Sequence, residues 1–338
     1  MARNQSALTN WTQYLALRFA AAGMHMFSVD RNLASARGLG SLMYHWDKRH
    51  RHRAVHNIAL AMPELDRREV HRIAEASMQH FLQLGVEVLY TPRLLQIDNW
   101  AERLHVGDIT EPLDLVLSNR PVIMATPHYG NWEVLGYAMA MLGVDLSAVA
   151  RPIDNPLVND YVLGVRERKG MKIITKWGAS EVMTDVLERG GTLGFIADQN
   201  AGDKGMFVPY MGRLASTYKS IGLLAIRYDT PVVCGGARRL GNRFEYIFEV
   251  EDVIYPDDWA DQPDPLYYLT ARYNRAMERM ILAHPDQYLW IHRRWRSRPR
   301  HEKQGKPMPR GLRTQLESLP WMTDELMNKL EHPPAELR

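Results

Sequence analysis

The sequence predicts an α/β fold, a mainly parallel mixed sheet flanked by helices, with a helical region ahead of it. From residue 9 to 90 apolar residues recur at helical spacing, and from residue 121 onward short apolar runs alternate with longer amphipathic ones. With 338 residues and 46% hydrophobic composition, the chain can fill a real core, so disorder is not the default.

The N-terminal helical pattern is clearest from Asp66 to Tyr90, where Val70, Ile73, Ala74, Met78, Phe81 and Leu82 share one face. Trp11 to Val29 is the most apolar stretch before the first polar loop. A spanning helix needs ~20 mostly apolar residues, and Gln13, Arg18 and His25 interrupt this one, so it is not expected to cross a bilayer. No short apolar core followed by a small-residue cleavage site is present, so secretion is not expected. Two alternatives stand for this helix: it lies flat on a bilayer, or it docks on the domain.

Strands are expected at Pro121 to Thr126, Leu146 to Ala150, Met171 to Thr175, Thr192 to Ala197, Pro231 to Gly235 and Phe244 to Val250. Helices are expected between most of them, at Trp132 to Leu142, Pro156 to Lys169, Ser180 to Glu188 and Ser216 to Tyr228. Two more helical stretches follow, Pro265 to Ala283 and Pro285 to Arg294. From about Ser297 the composition turns polar; Pro299 to Arg310 reads as a linker and Thr323 to Leu330 as one short capped helix, in a tail expected to pack loosely. The organisation is thus an N-terminal helical region (1–95), an α/β domain (96–298) and a polar C-terminal tail (299–338); the motifs below make the first membrane-proximal and the second catalytic.

Net charge is only +3, from 42 Lys and Arg against 39 Asp and Glu, so no global field argues for nucleic acid. The single cysteine, Cys234, excludes an internal disulfide and a cysteine metal cluster, and its Thr-Pro-Val-Val-Cys-Gly-Gly setting reads as a buried strand with an inert thiol.

The chemistry concentrates in Pro121 to Glu133, PVIMATPHYGNWE, where a buried strand ends at a Thr-Pro turn and a helix starts soon after. Ligands bind at such strand ends in open α/β sheets. His128 falls on the turn, and Glu133 falls in the first helical turn if Asn131 caps it. An imidazole takes a hydroxyl proton near neutral pH, and a carboxylate beside it fixes its tautomer and stabilises the imidazolium. An activated thioester needs no enzyme nucleophile, which agrees with the lack of a Gly-x-Ser-x-Gly elbow. His-Glu-x-x-His is also absent, so no zinc site is expected.

HYGNWE resembles the His-x4-acidic motif of the lysophospholipid and lipid A acyltransferases. Three further blocks agree in order: ARPIDNPLVNDYVLGVRERKG (150–170), GFIADQNAGDKGMFVPYMG (194–212) and PDQYLWIHRRWRSRP (285–299). Together they are similar to the lipid A lauroyl and myristoyl acyltransferases, a group that includes phosphatidylinositol mannoside acyltransferases, over roughly residues 10 to 300. The resemblance implies an acyltransferase-type α/β sandwich. It implies acyl transfer from an acyl carrier protein or coenzyme A thioester to a hydroxyl of a glycolipid such as a lipid A precursor. It places the protein, peripheral or monotopic, at the cytoplasmic face of the inner membrane, and it implies no metal or bound cofactor. A phosphatidylinositol mannoside or lysophospholipid is an alternative acceptor, and a catalytically silent lipid-binding or scaffold protein of the same fold is the rival from another class.

Carried over residue by residue, the resemblance makes His128 the general base, Glu133 its partner, and Arg166 and Asp198 further functional positions. Locally, Arg166 lies in a basic helical stretch where a planar guanidinium can hold a phosphate or an oxyanion, or simply face solvent. Asp198 ends a strand at the carboxyl edge of the sheet and can pair with Arg166 or with His128. Arg151 and Asn155, in the Arg-Pro-x-Asp-Asn-Pro turn, are weaker substrate-contact candidates whose other role is to hold the turn. The cluster His292 to Arg300 mixes cations with aromatics, and anionic lipid headgroups fit it better than nucleic acid because no nucleic-acid motif accompanies it. Lys48 to Arg53 is a second basic run, a solvated loop or a membrane contact.

Overall fold

The computed structural model describes residues 6–107, 109–118, 120–175 and 179–333. Residues 1–5 and 334–338 of the two terminal regions lie outside these. The N-terminal region is four helices: α1 (Ala7–Met24), α2 (Val29–Trp46), α3 (Lys48–Ala61) and α4 (Arg67–Leu94). The basic run, for which the sequence leaves a solvated loop and a membrane contact both open, is not a loop: it opens α3, because Asp47 caps it, accepting from His50 N at 3.0 Å. Along α4 the stripe Val70, Ile73, Ala74 and Met78 is buried as the spacing predicts, although Phe81 is 36% exposed.

β1 (Leu104–Val106) and α5 (Thr110–Leu117) lead into the alternating part: β2 (Val122–Thr126), α6 (Trp132–Met141), β3 (Leu146–Val149), α7 (Pro156–Arg166), β4 (Lys172–Ile174), α8 (Ala179–Glu188) and β5 (Thr192–Ile196). A hairpin follows, β6 (Met206–Tyr210) and β7 (Arg213–Thr217), then α9 (Ser220–Arg227), β8 (Val232–Arg239), β9 (Tyr246–Ile254), α10 (Pro256–Ala260) and α11 (Pro265–Ala283). The seven-stranded sheet has the order β1-β9-β8-β2-β5-β3-β4 and is parallel except between β8 and β9. The α/β fold with a mainly parallel mixed sheet is thus the one the sequence predicts.

Three local expectations fail. The helix expected over Ser216 to Tyr228 starts only at Ser220, because Ser216 and Thr217 pair with Phe207 and Met206 in the hairpin. Pro285 to Arg294 holds one 3-10 turn, Pro285–Gln287, and then an irregular strap. A helix there would need its own carbonyls, but Asn57 Nδ2 donates to the carbonyls of Trp290 and His292 at 2.7 Å each, and Ser77 Oγ to that of Tyr288. The tail does not pack loosely. It holds helices α12 (Arg300–Lys303), α13 (Arg310–Glu317) and α14 (Asp324–Glu331), and buries Leu316 of α13, Leu319 just after it, and Met327 and Leu330 of α14 in the same core as Val208 and Tyr210. A few apolar residues on one side suffice to dock a segment whose average composition is polar.

Among the described residues no helix is long and apolar enough to cross a membrane. α1 docks on α7, since Asn155 Nδ2 donates to Asn10 O at 3.0 Å and Gln13 Oε1 at 2.8 Å. It still leaves Leu8, Trp11, Leu15 and Phe19 exposed along one stripe, with Phe19 at 75%.

Candidate active site

Strand register builds the site. β2 and β5 run parallel with Thr126 opposite Ile196, and Ala197 N donates to Thr126 O at 2.9 Å. His128 and Asp198 lie the same distance past these paired ends, so they meet at the carboxyl edge of the sheet. His128 Nδ1 is 2.6 Å from Asp198 Oδ1, and the His128 backbone N–H donates to Oδ2 at 3.1 Å. Asp198 is fully buried. Burial pushes its carboxyl up, but the charge of His128, the hydrogen bonds from it and the more distant His292 together hold it well below the usual carboxylate range. An ionised carboxylate only accepts, so the Asp198 contact fixes a proton on Nδ1, and in the neutral imidazole the lone pair is on Nε2. Gln199 Nε2 lies 3.5 Å from that Nε2, Trp132 meets the imidazole edge-on at 4.9 Å, and the His292 ring is tilted against it at 4.4 Å. Burial, chiefly, lowers His292 to about 4, with His128 and Arg53 adding to it, which keeps His292 neutral.

The next residues turn from strand to helix by way of Gly130 and Asn131. Gly130 has φ +56°, and a Cβ there would lie 2.1 Å from the Ala237 carbonyl oxygen, so no other residue fits. Asn131 caps α6, accepting from Glu133 N at 3.1 Å and Val134 N at 2.9 Å. Glu133 thus sits in the first helical turn, but its carboxylate turns away from the role of His128's partner. Arg166, at the end of α7, grips it bidentately, Nε to Oε2 at 2.8 Å and Nη2 to Oε1 at 2.5 Å, and Trp132 Nε1 donates to it at 3.2 Å. Of the two pairings open for Asp198, the structure takes the one with His128.

Arg151 and Asn155 are not drawn into this cluster. Arg151 is 83% exposed and reaches Asp154 at 3.6 Å, while Asn155 spends its amide oxygen capping α7 and its amide nitrogen holding α1. Part of the basic cluster expected to face lipid is internal. Arg294 is buried over the Tyr210 ring and donates to Ser216 O at 2.6 Å, Thr217 Oγ1 at 2.7 Å and Asn274 Oδ1 at 2.9 Å. Only Arg293, Arg296 and Arg300 of that cluster are exposed. Sequence reasoning missed the pairing of His292 with His128, which the strap creates by laying Leu289 N on His128 O at 3.0 Å and Gln287 O under Gly130 N at 3.0 Å.

Beside Glu133 and Arg166 opens a narrow apolar cavity of about 90 Å³ between the sheet and α6, walled by Met124, Met139, Leu146, Ile173 and Phe195. The family model for bacterial lipid A biosynthesis acyltransferases matches residues 2–297. The chain belongs to that family. It is an O-acyltransferase, and the four sequence blocks that resemble the family fall on the matched span, the last running just past its end. The chain is 24% identical over 269 residues to the lipid A biosynthesis lauroyltransferase of Escherichia coli K12, covering 78% of this chain and 84% of the relative. It is 28% identical over 189 residues to the lipid A biosynthesis palmitoleoyltransferase of the same organism, covering 54% of this chain and 58% of the relative. The lipid A biosynthesis acyltransferase of Shigella flexneri matches at the same identity and coverage.

Proposed function

We propose that the protein moves a fatty acyl group from an acyl thioester, on acyl carrier protein or coenzyme A, to a hydroxyl of a lipid A precursor or similar glycolipid, with His128 as general base. The observation that carries this is an imidazole whose Nδ1 is committed to a buried carboxylate, connected through Trp132 to the Glu133–Arg166 pair at the mouth of an apolar cavity. The acceptor hydroxyl hydrogen-bonds to His128 Nε2 and its oxygen attacks the thioester carbonyl as the proton passes to the ring. The tetrahedral oxyanion forms near Arg166, whose bidentate grip on Glu133 fixes the guanidinium and leaves its Nη1 edge to the substrate. Collapse breaks the C–S bond, the imidazolium returns its proton to the thiolate, and ester and free thiol leave. The cavity takes the acyl chain, and the exposed Arg151 beside its rim remains a candidate contact for the acceptor or the carrier.

His128→Ala should cut transfer per folded molecule by ~10²–10⁴-fold, and the unfolding midpoint should fall as well, because Asp198 stays buried without the imidazole it bonds. Transfer at the parent rate would overturn the assignment. The apolar stripe of α1 and the exposed Arg293, Arg296 and Arg300 support contact with an anionic membrane at the cytoplasmic face of the inner membrane. Phe19→Glu should lower co-sedimentation with anionic vesicles, and unchanged co-sedimentation would remove α1 from that surface.

A further inference from the structure

The cavity beside Arg166 has a second room behind it. The first lies over β2, β5, β3 and β4, and its floor is opened by Gly194, where a Cβ would press to 3.3 Å on Leu146 Cδ1. The second, about 40 Å³, lies further along the same sheet face beneath α5, walled by Ile109, Leu113, Val116, Phe248 and Val250. Met124, Leu135, Met139 and Gly235 line both. Register explains why they stand between the two. Met124 is opposite Gly194 on β5 and opposite Val233 on β8, so its side chain rises from the central strand at the boundary between the rooms. Leu135 and Met139, one turn apart on α6, come down to meet it from above.

We propose that Met124, Leu135 and Met139 form a partition that sets the length of acyl chain the enzyme transfers. The inference rests on the acyl-transfer reading above. The chain enters at Glu133 and Arg166 and runs between sheet and α6, and its terminal methyl stops against the partition. A longer chain has to displace a methionine side chain or leave its last methylenes unburied. Each methylene without apolar burial forfeits about fourfold in transition-state binding, the equivalent of one buried CH₂. Methionine suits such a wall because it is unbranched and fills irregular gaps, and cutting it to alanine joins the two rooms without touching any residue that handles the proton.

The test measures transfer by the full chain from saturated acyl thioesters of increasing length to one acceptor, for the parent, Met124→Ala and Met139→Ala. Either variant should move the preferred length upward and remove the roughly fourfold loss per added methylene that the parent shows beyond its optimum. Val116→Phe fills the second room only, so it should leave the parent's length profile unchanged and reverse the gain when combined with Met139→Ala. If the alanine variants do not fold, Met124→Val, which removes the Sδ–Cε end but keeps more of the volume, should give a smaller shift in the same direction. An active parent whose profile these changes do not move removes the partition alone, as does a Val116→Phe enzyme with a shifted preference. A parent that transfers no acyl group of any length removes the acyl-transfer reading instead.

Discussion

Two arginine–carboxylate pairs flank Asn131, and they are alike in chemistry but opposite in setting. On one side Arg239 donates to Glu87 at 2.8 Å, with Arg239 Nη2 also on Gln83 Oε1 at 2.7 Å and the Asn131 amide on the other Glu87 oxygen at 2.7 Å. The side chains of this pair are 5% and 0% exposed. On the other side Arg166 grips Glu133 with 21% and 11% exposure, at the lip of the apolar cavity. The sealed pair has no edge left for a ligand, so it serves to hold the turn that carries His128. The open pair keeps a guanidinium edge toward the cavity, the edge that the proposed mechanism gives to the reacting carbonyl. Ion pairs of the same chemistry thus differ in access and in how many of their hydrogen-bonding groups are already spent, and the proposed mechanism uses only the open one.

The sharpest way to break this division is to remove the sealed cation. Arg239→Ala leaves the Glu87 carboxylate buried without its partner, and should cost about 3–5 kcal/mol of stability, read by denaturant unfolding, with activity lost only in proportion to the unfolded fraction. A fully stable Arg239→Ala enzyme would show that the sealed pair holds nothing. Next in size, Arg166→Lys keeps the charge but loses the planar fork. Transfer should fall ~10²-fold while the unfolding midpoint hardly moves. Parent-level transfer would reduce Arg166 to a helix-end residue.

The smallest effect sharpens the comparison, because it touches both sides of the turn. His80 Nε2–H donates to the Gly130 carbonyl at 2.9 Å, and burial, with help from Arg239, lowers His80 to about 3; His292, against His128, is lowered to about 4. Both bind a proton less readily folded than unfolded. The unfolded chain therefore binds more protons from about pH 6.5 down to each folded value, and stability falls as the pH drops through that window and is flat above it. Near pH 5.5 each should cost on the order of 1 kcal/mol. His292→Gln should flatten part of the slope of unfolding free energy against pH, and a slope unaltered in both His80→Gln and His292→Gln would remove the histidines as its cause.

What the sequence shows of the site is what neighbours along the chain can show. The strand, the Thr-Pro turn and the Asn131 cap lie within a dozen residues, so the place of His128 and Glu133 was legible. The partnership was legible only as one of two alternatives for Asp198, Arg166 or His128, because the β2–β5 register that decides it is encoded by no local pattern. The strap was misread as a helix for a related reason: its carbonyls are claimed by Asn57 and Ser77, more than two hundred positions earlier. One signal was present and passed over. Ser77, His80, Gln83 and Glu87 continue the buried stripe of α4 at the same helical spacing, and all four are buried. Polar residues on a face that ought to be apolar must find partners inside, and these find the strap, Gly130 and Arg239.

The same stripe bears on how this enzyme can be trimmed. Because Asn57 and Ser77 are stitched to the strap while Gln83 and Glu87 hold Arg239, α3 and α4 belong to the cooperative unit that contains the sheet. A cut near residue 95 would strand several polar groups inside the remaining sheet. A water-friendly version is better sought by recoding the outward stripe of α1, whose exposed side chains lie outside the core.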